Sequence, residues 1–240
     1  MTDPDRRAAD VLSVLMPCYN EEDTLEDMVR QVFASEPGVP IELVIVDDCS
    51  ADASVEIAQG LAANDERIQF VQHPRNRGKG AAVRTAIGVA TGTIAIVQDA
   101  DAEYDPQDYR KVIAPILAGE ADAVYGSRFL ASGSPRGALR RSVFANRVLT
   151  WFANRVNGLR LTDMETCYKA VRTDLLKNFR LTSERFGIEP EITARLARAR
   201  ARILEVPIAY HPRSHTEGKK IGWRDGAAAL WHILKFRFMR

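Results

Sequence analysis

Ile94 to Pro106 reads IAIVQDADAEYDP, and the fold follows from how this stretch changes character halfway along. Ile94, Ala95, Ile96 and Val97 form a short apolar run of the kind that becomes a buried strand. Asp99, Asp101, Glu103 and Asp105 then follow at every second position, with Ala100 and Ala102 between the first three. In extended backbone, residues two apart point the same way, so Asp99, Asp101 and Glu103 would face one site. Like charges at the mouth of an apolar strand are costly unless something positive sits among them. A hard divalent cation that keeps positions open for phosphate oxygens would serve, and solvated turn acids are the plain alternative. For Asp99 and Asp101 the cation is the better account. Asp105-Pro106 instead has the form of a helix start, with Asp as N-cap and Pro at the first helical position.

Around this stretch, strands and helices alternate. Val11–Met16, closed by Pro17, Ile41–Val46 and Ile68–Val71 read as buried strands. Helical spacing of apolar residues runs from Glu22 to Ser35, and further helices are expected up to Ala63, over Gly80–Ala90 and over Gln107–Leu117. Such alternation implies an α/β fold with a Rossmann-like, mostly parallel central sheet and helices on both faces. Ligands in such sheets bind beyond the carboxyl ends of the strands. Those ends carry Pro17-Cys18-Tyr19-Asn20-Glu21, Asp47-Asp48 and Asp99-Ala100-Asp101. The second half is less regular. Ala123–Tyr125 is a short strand leading into Gly126-Ser127-Arg128, and Ser132–Gly137 has a loop's composition. Helices are expected over Leu139–Val156 and Glu189–Arg202, turn then strand over Thr162–Val171, and a late edge strand over Ile203–Tyr210, interrupted at Pro207. The chain divides into a polar extension, residues 1–10, a catalytic domain, 11–221, and a C-terminal amphipathic helix, 222–240.

The 240 residues suit one large domain, and a net charge of +1 gives no bulk drive toward nucleic acid. Three cysteines without CxxC spacing suggest neither zinc nor a disulfide framework. The N-terminal stretch does not resemble a signal peptide, and no run has the length of a membrane span, so a cytoplasmic protein is expected. It would reach a membrane only peripherally, or through a membrane-protein partner.

Several side chains admit two accounts. Asp48 would accept hydrogen bonds from a base or ribose, or cap a turn. Asn76–Ala82 (NRGKGAA) lacks the Walker spacing; its glycines suit close helix packing, with Lys79 near an anion as the lesser alternative. Glu191 would hold sugar hydroxyls or pair with Arg195. Asp163 would orient an acceptor or cap a turn. Cys167 has no histidine partner at a recognisable position to make it a nucleophile. The tail, GWRDGAAALWHILKFRFMR, mixes aromatics with Lys235, Arg237 and Arg240, a pattern shared by membrane-interface helices and helices packed on their own domain.

Taken together, these features resemble the inverting family 2 glycosyltransferases of the GT-A fold, nearest to the branch acting on polyprenyl phosphates such as dolichyl phosphate. The resemblance spans Val11 to about Lys235. It implies that Pro17, Tyr19, Glu21, Val46 and Asp48 line a nucleotide pocket. Asp99, Ala100 and Asp101 would meet a diphosphate and its Mg²⁺ or Mn²⁺, with Glu103 where relatives often carry Gln. Arg128, Arg213 and Lys219 match positions holding phosphates of a sugar nucleotide or acceptor. One of Arg140 and Arg141 would meet the acceptor phosphate. The expected donor is a nucleotide sugar of the GDP-mannose or UDP-glucose class, and the expected catalytic set is Asp101, Arg128 and Asp163. The same core acting on a soluble acceptor is a rival. A sugar-nucleotide pyrophosphorylase is another, but it would want a glycine- and arginine-rich loop where Pro17–Glu21 stands.

Overall fold

Leu12, Val14, Leu15 and Met16 are fully buried, as are Leu43, Val44, Ile45 and Val46, which places both runs inside a sheet rather than at its edge. The computed structural model describes residues 10–130, 140–185, 187–212 and 223–238. Its strands are β1 (Leu12–Cys18), β2 (Ile41–Asp47), β3 (Ile68–Gln72), β4 (Ile94–Val97), β5 (Ala123–Ser127), β6 (Lys169–Arg172) and β7 (Ile203–Pro207). They form one sheet in the order β3-β2-β1-β4-β6-β5-β7. Among the described strands only β6 runs against its neighbours, pairing antiparallel with β4 and β5. The expected mostly parallel sheet is therefore present, with β7 at one edge as Pro207 requires.

Helices α1 (Leu25–Phe33), α2 (Ser54–Asn64), α3 (Lys79–Val89), α4 (Tyr109–Leu117), α5 (Arg140–Asn157), α6 (Thr173–Lys177), α7 (Ile188–Arg198) and α8 (Trp223–Phe238) pack around the sheet. The short α6 has too few turns to leave a periodic signal. Asp105 does cap the turn at Pro106, its side chain accepting from the Gln107 backbone N–H at 2.9 Å. Two of the boundaries that differ from the sequence reading have a local cause. Helix α7 stops at Arg198, because Arg200 takes a left-handed φ of 55°. Pro17 does not close β1 but lies within it, opposite Val46. The Leu15 carbonyl accepts from Gln98 on the β4 side, so Pro17 turns its missing N–H toward that same side. There the β1–β4 ladder has already ended at Leu15↔Val97.

The far end of the sheet carries a closed polar knot. Buried Glu42 on β2 accepts from the Ser13 hydroxyl at 2.5 Å and from the Thr91 and Gly92 backbone N–H groups. Burial would raise its carboxyl, but these donors outweigh burial and hold it below the ordinary value. A side chain at Gly92 would run into the Val11 carbonyl at 2.6 Å, so the residue must be glycine. With this end sealed, the open chemistry lies at the other, where β1, β2 and β4 finish side by side. That is where the chain crosses from one side of β1 to the other, the position at which such sheets bind ligands.

Candidate active site

Buried Gln98 closes β4 and anchors the turn after it. Its Oε1 accepts the hydroxyls of Tyr109 at 2.7 Å and Tyr168 at 2.6 Å, while its Nε2 donates to the Asp99 carbonyl at 3.0 Å. Past Gln98 the backbone turns instead of staying extended, and Ala102 adopts a left-handed φ of 57°. The alternation argument therefore fails from Asp101 onward. Among the described residues, no three acidic, histidine or cysteine side chains converge as a metal cluster. Asp99 meets the Lys79 ammonium at 2.8 Å, Asp101 accepts from the Glu103 backbone N–H at 3.2 Å, and Glu103 accepts the Tyr210 hydroxyl at 3.1 Å. The positive charge required beside Asp99 is supplied by the protein itself.

Asp101 is partly exposed at this turn and Ala100 is buried beneath it. Mg²⁺ and Mn²⁺ are oxygen-seeking ions; Mg²⁺ usually takes one or two protein carboxylates and completes its shell with phosphate oxygens and water. Asp101 fits that donor set, while Glu103 is buried and would join it only by turning from Tyr210. Asp99 would join it only by leaving Lys79.

Lys79 opens α3. Its burial would depress the ammonium, but Asp99, Cys167 and Glu189 outweigh that, and the group is held charged well above its ordinary value. Glu189 lies 3.1 Å from Lys79. Sequence reasoning favours Glu191 on the same helix, yet residues two apart on a helix point to nearly opposite sides. Glu191 is fully buried, pairs with Arg195 at 3.6 Å as its second account expects, and accepts from the Thr182 and Ser183 backbone N–H groups, so it ties down that loop instead of holding a sugar. A charge-balance argument for a buried Lys79 is the available signal for Glu189. Gly78 and Gly80 are close-packing residues as expected, although their neighbour is the 183–185 segment. A side chain at Gly78 would lie 2.4 Å from the Glu184 carbonyl, and one at Gly80 would lie 2.7 Å from that of Ser183.

The loops after β1 and β2 are laced together. The Asn20 backbone N–H donates to the Ser50 hydroxyl and the Asn20 Oδ1 accepts from the Ala51 backbone N–H, with Asn20 and Cys49 both at left-handed φ. Ser54 accepts from the Glu21 backbone N–H at 2.9 Å. Tyr19 projects outward, 48% exposed. Val46, by contrast, is core, so its side chain lines no open pocket. Asp48 is also internal. Its carboxylate takes His73 Nδ1 at 2.7 Å and the backbone N–H groups of Arg77 and Gly78, which makes it the anchor of the loop leading into α3.

Arg128 and Asp163, expected to act separately, form one bidentate pair. Arg128 Nε meets Asp163 Oδ2 at 2.7 Å, and Nη2 meets Oδ1 at 2.8 Å. The Arg128 backbone N–H and Asn146 of α5 add further donors, and Glu205 receives the Thr162 and Asp163 backbone N–H groups. Asp163 is fully buried with both oxygens engaged, so it positions Arg128 and does not reach an acceptor. Arg128 also lies 5.2 Å over the Tyr210 ring, which links it to Glu103. Arg141 is exposed at the start of α5. Arg213, Lys219, the 131–139 loop and the side chain of Arg140 lie outside the described residues.

Beneath this site Glu165 presents a carboxylate oxygen, Oε1, that is shut from solvent without a hydrogen-bond partner. Burial, then Glu189, pushes its carboxyl up from 4.5 to about 7. The folded protein thus holds this proton more tightly than the unfolded chain, so the contribution to stability is full below 4.5 and is lost as pH rises toward about 7. Melting curves across that window should slope downward for the native chain and be flatter for Glu165→Gln. Equal slopes would contradict this assignment.

Residues 13–180 match the family model described as Glycosyl transferase family 2. Among curated proteins, the chain is similar to the dodecaprenyl-phosphate galacturonate synthase of Rhizobium johnstonii, 27% identical over 87% of this chain and 61% of that protein. It is also similar to the undecaprenyl-phosphate mannosyltransferase of Micrococcus luteus, 28% identical over 93% of this chain and 97% of that one. The chain thus spans under two thirds of the Rhizobium protein and nearly all of the Micrococcus one. Among solved structures, glucosyl-3-phosphoglycerate synthase from Mycobacterium tuberculosis, in complex with Mn²⁺, uridine-diphosphate and phosphoglyceric acid, superposes with a TM-score of 0.71. That match covers 95% of this chain and 77% of the other at 19% identity, a likeness of fold.

Proposed function

Because this chain belongs to glycosyl transferase family 2 and has the GT-A fold, we propose that it moves a hexose from a nucleotide sugar to a polyprenyl phosphate. In this reading the donor is of the GDP-mannose or UDP-glucose class, the anomeric configuration inverts, and the reaction takes place at the cytosolic face of a membrane. The relatives named for polyprenyl-phosphate transfer support the acceptor class. The observation that carries the reading is the turn after β4, which sets Asp101 at the open end of the parallel strands, with the Arg128–Asp163 pair joined to it through Tyr210 and Glu103.

Negative charge grows on the departing diphosphate as the sugar becomes oxocarbenium-like. A divalent cation held by Asp101, aided by Glu103, would supply Lewis-acid stabilisation to that leaving group. Lys79 and Arg128 contribute fixed positive charge from the protein. With Nε and Nη2 held by Asp163, which locks its orientation, Arg128 would meet phosphate oxygens through its remaining guanidinium N–H groups. A lipid phosphate is already anionic near neutral pH, so the chain needs no strong base, consistent with an Asp163 wholly occupied by Arg128. Tyr19, Glu21 and Asp48 border the nucleotide side, Asp48 through the loop it anchors. Arg213 and Lys219 are proposed as further phosphate contacts, and Arg140 or Arg141 as the acceptor's.

The same fold also serves the Mycobacterium enzyme, whose structure holds a soluble phosphorylated molecule. Among the described residues, no helix is long and apolar enough to cross a membrane. A transfer assay with radiolabelled nucleotide sugar and polyprenyl phosphate in detergent separates the two acceptors. Label should pass into the organic phase; label found only in water-soluble product would reject the lipid.

A further inference from the structure

Helices α3 and α6, with the segment that follows α6, enclose a groove of about 310 Å³. Arg84, Ile87 and Gly88 line it from α3, three and four residues apart and so on one face of that helix. Leu176, Lys177, Phe179 and Arg180 form the facing wall, and no acidic side chain lines the groove among the described residues. Its cations are not neutralised from within. Arg84 Nη1 donates to the Leu181 carbonyl at 3.2 Å and Lys177 Nζ to the Ala90 carbonyl at 2.7 Å, both backbone acceptors without charge. Arg84 Nε has no partner among the described residues, and Arg180 is exposed. Gly88 keeps the floor open, since a Cβ there would meet nothing within 4 Å. The wall then runs on toward Lys79. Thr182 and Ser183 donate their backbone N–H groups to Glu191, and the Glu184 carbonyl accepts from the Ala81 backbone N–H at 3.1 Å.

We propose that this groove is a second ligand site, taking a small phosphate monoester with an apolar body. The anionic head meets Arg84, Lys177 and Arg180, and the body lies on Ile87, Leu176 and Phe179. Guanidinium N–H groups pair well with phosphate oxygens, and charge-assisted bonds of this kind are the strong ones. The volume sits at the low end of the roughly 300–1,000 Å³ typical of ligand pockets, room for one ring or a short chain but not for a polyprenyl tail. A bare inorganic anion would leave the apolar lining unused. Bound there, the ester braces the segment that packs against the start of α3. None of the lining residues belongs to the Asp101 turn or the Arg128–Asp163 pair, so the inference does not rest on the proposed function.

Phenyl phosphate and inorganic phosphate are the probes, titrated by calorimetry into the 240-residue chain at low salt with chelator present. Phenyl phosphate should bind several-fold more tightly than inorganic phosphate, and it should slow amide hydrogen exchange across residues 176–184. Arg180→Glu reverses an exposed charge and should weaken phenyl phosphate roughly tenfold or more. Gly88→Leu fills the open floor and should abolish binding. Both positions are exposed, so circular dichroism and melting temperature should match the native chain. Four results would each overturn the proposal: no binding of phenyl phosphate, native affinity in either variant, inorganic phosphate bound as tightly, or protection confined to the loops after β4 and β5. The last would place the anion at the transfer site instead.

Discussion

Asp101→Ala should lower kcat/KM by roughly a thousandfold or more while leaving the melting temperature nearly unchanged, the loss expected when a metal-held electrostatic contact to the leaving group disappears. Asp101 is partly exposed and accepts a 3.2 Å bond from the Glu103 backbone N–H in the same turn. The turn is fixed instead by Gln98, with its two tyrosine hydroxyls, and by Tyr104, stacked on Tyr168 at 4.8 Å. Asp99→Asn should behave differently, because it takes a partner from half-buried Lys79 and leaves Glu189 as the remaining carboxylate there. Its loss should appear in stability as well as in rate. Turnover by Asp101→Ala within tenfold of the native value would remove Asp101 from the chemistry.

The second large effect is on stability. Asp163→Ala should cost about 3–5 kcal/mol, because it strands a buried guanidinium. A guanidinium does not lose its proton in a protein, so Arg128 remains charged when Asp163 is gone. For a chain of this size the melting temperature should fall by roughly 6–20 °C. Replacing both partners with apolar residues, Arg128→Met with Asp163→Leu, should recover much of that loss, since the cost comes from an unpaired charge and not from the pair's own strength. Activity should not recover with it. A double variant that regains both would mean that Arg128 touches no phosphate and the pair serves the fold alone.

Some parts of the molecule are legible in its sequence and others are not. Strands β1, β2 and β4 are continuous apolar runs ending abruptly in polar residues, and both their existence and their shared open end follow from that pattern. The antiparallel insertion of β6 does not follow, since a four-residue strand after a turn carries no sign of direction. At the site, residue types are more legible than partners. Lys79 with Asp99, Arg128 with Asp163 and His73 with Asp48 are separated by 20 or more residues, so no local spacing pairs them. Alternation beyond β4 fails for a local reason, the left-handed Ala102, which most side chains avoid. Glu189 and Glu191 look alike in sequence because the two differ only in which way α7 turns them.

The central claim is that the turn carrying Asp101 holds a metal-assisted nucleoside diphosphate. A thermal-shift panel of nucleoside diphosphates, with Mn²⁺ or with chelator, on the native chain and on Asp101→Ala tests it most directly. A ligand that binds only the folded state raises the midpoint. One diphosphate should stabilise the native chain strongly with Mn²⁺ and much less with chelator, and Asp101→Ala should lose the metal-dependent part. Stabilisation that is the same with and without Mn²⁺, or unchanged by the substitution, would contradict the account.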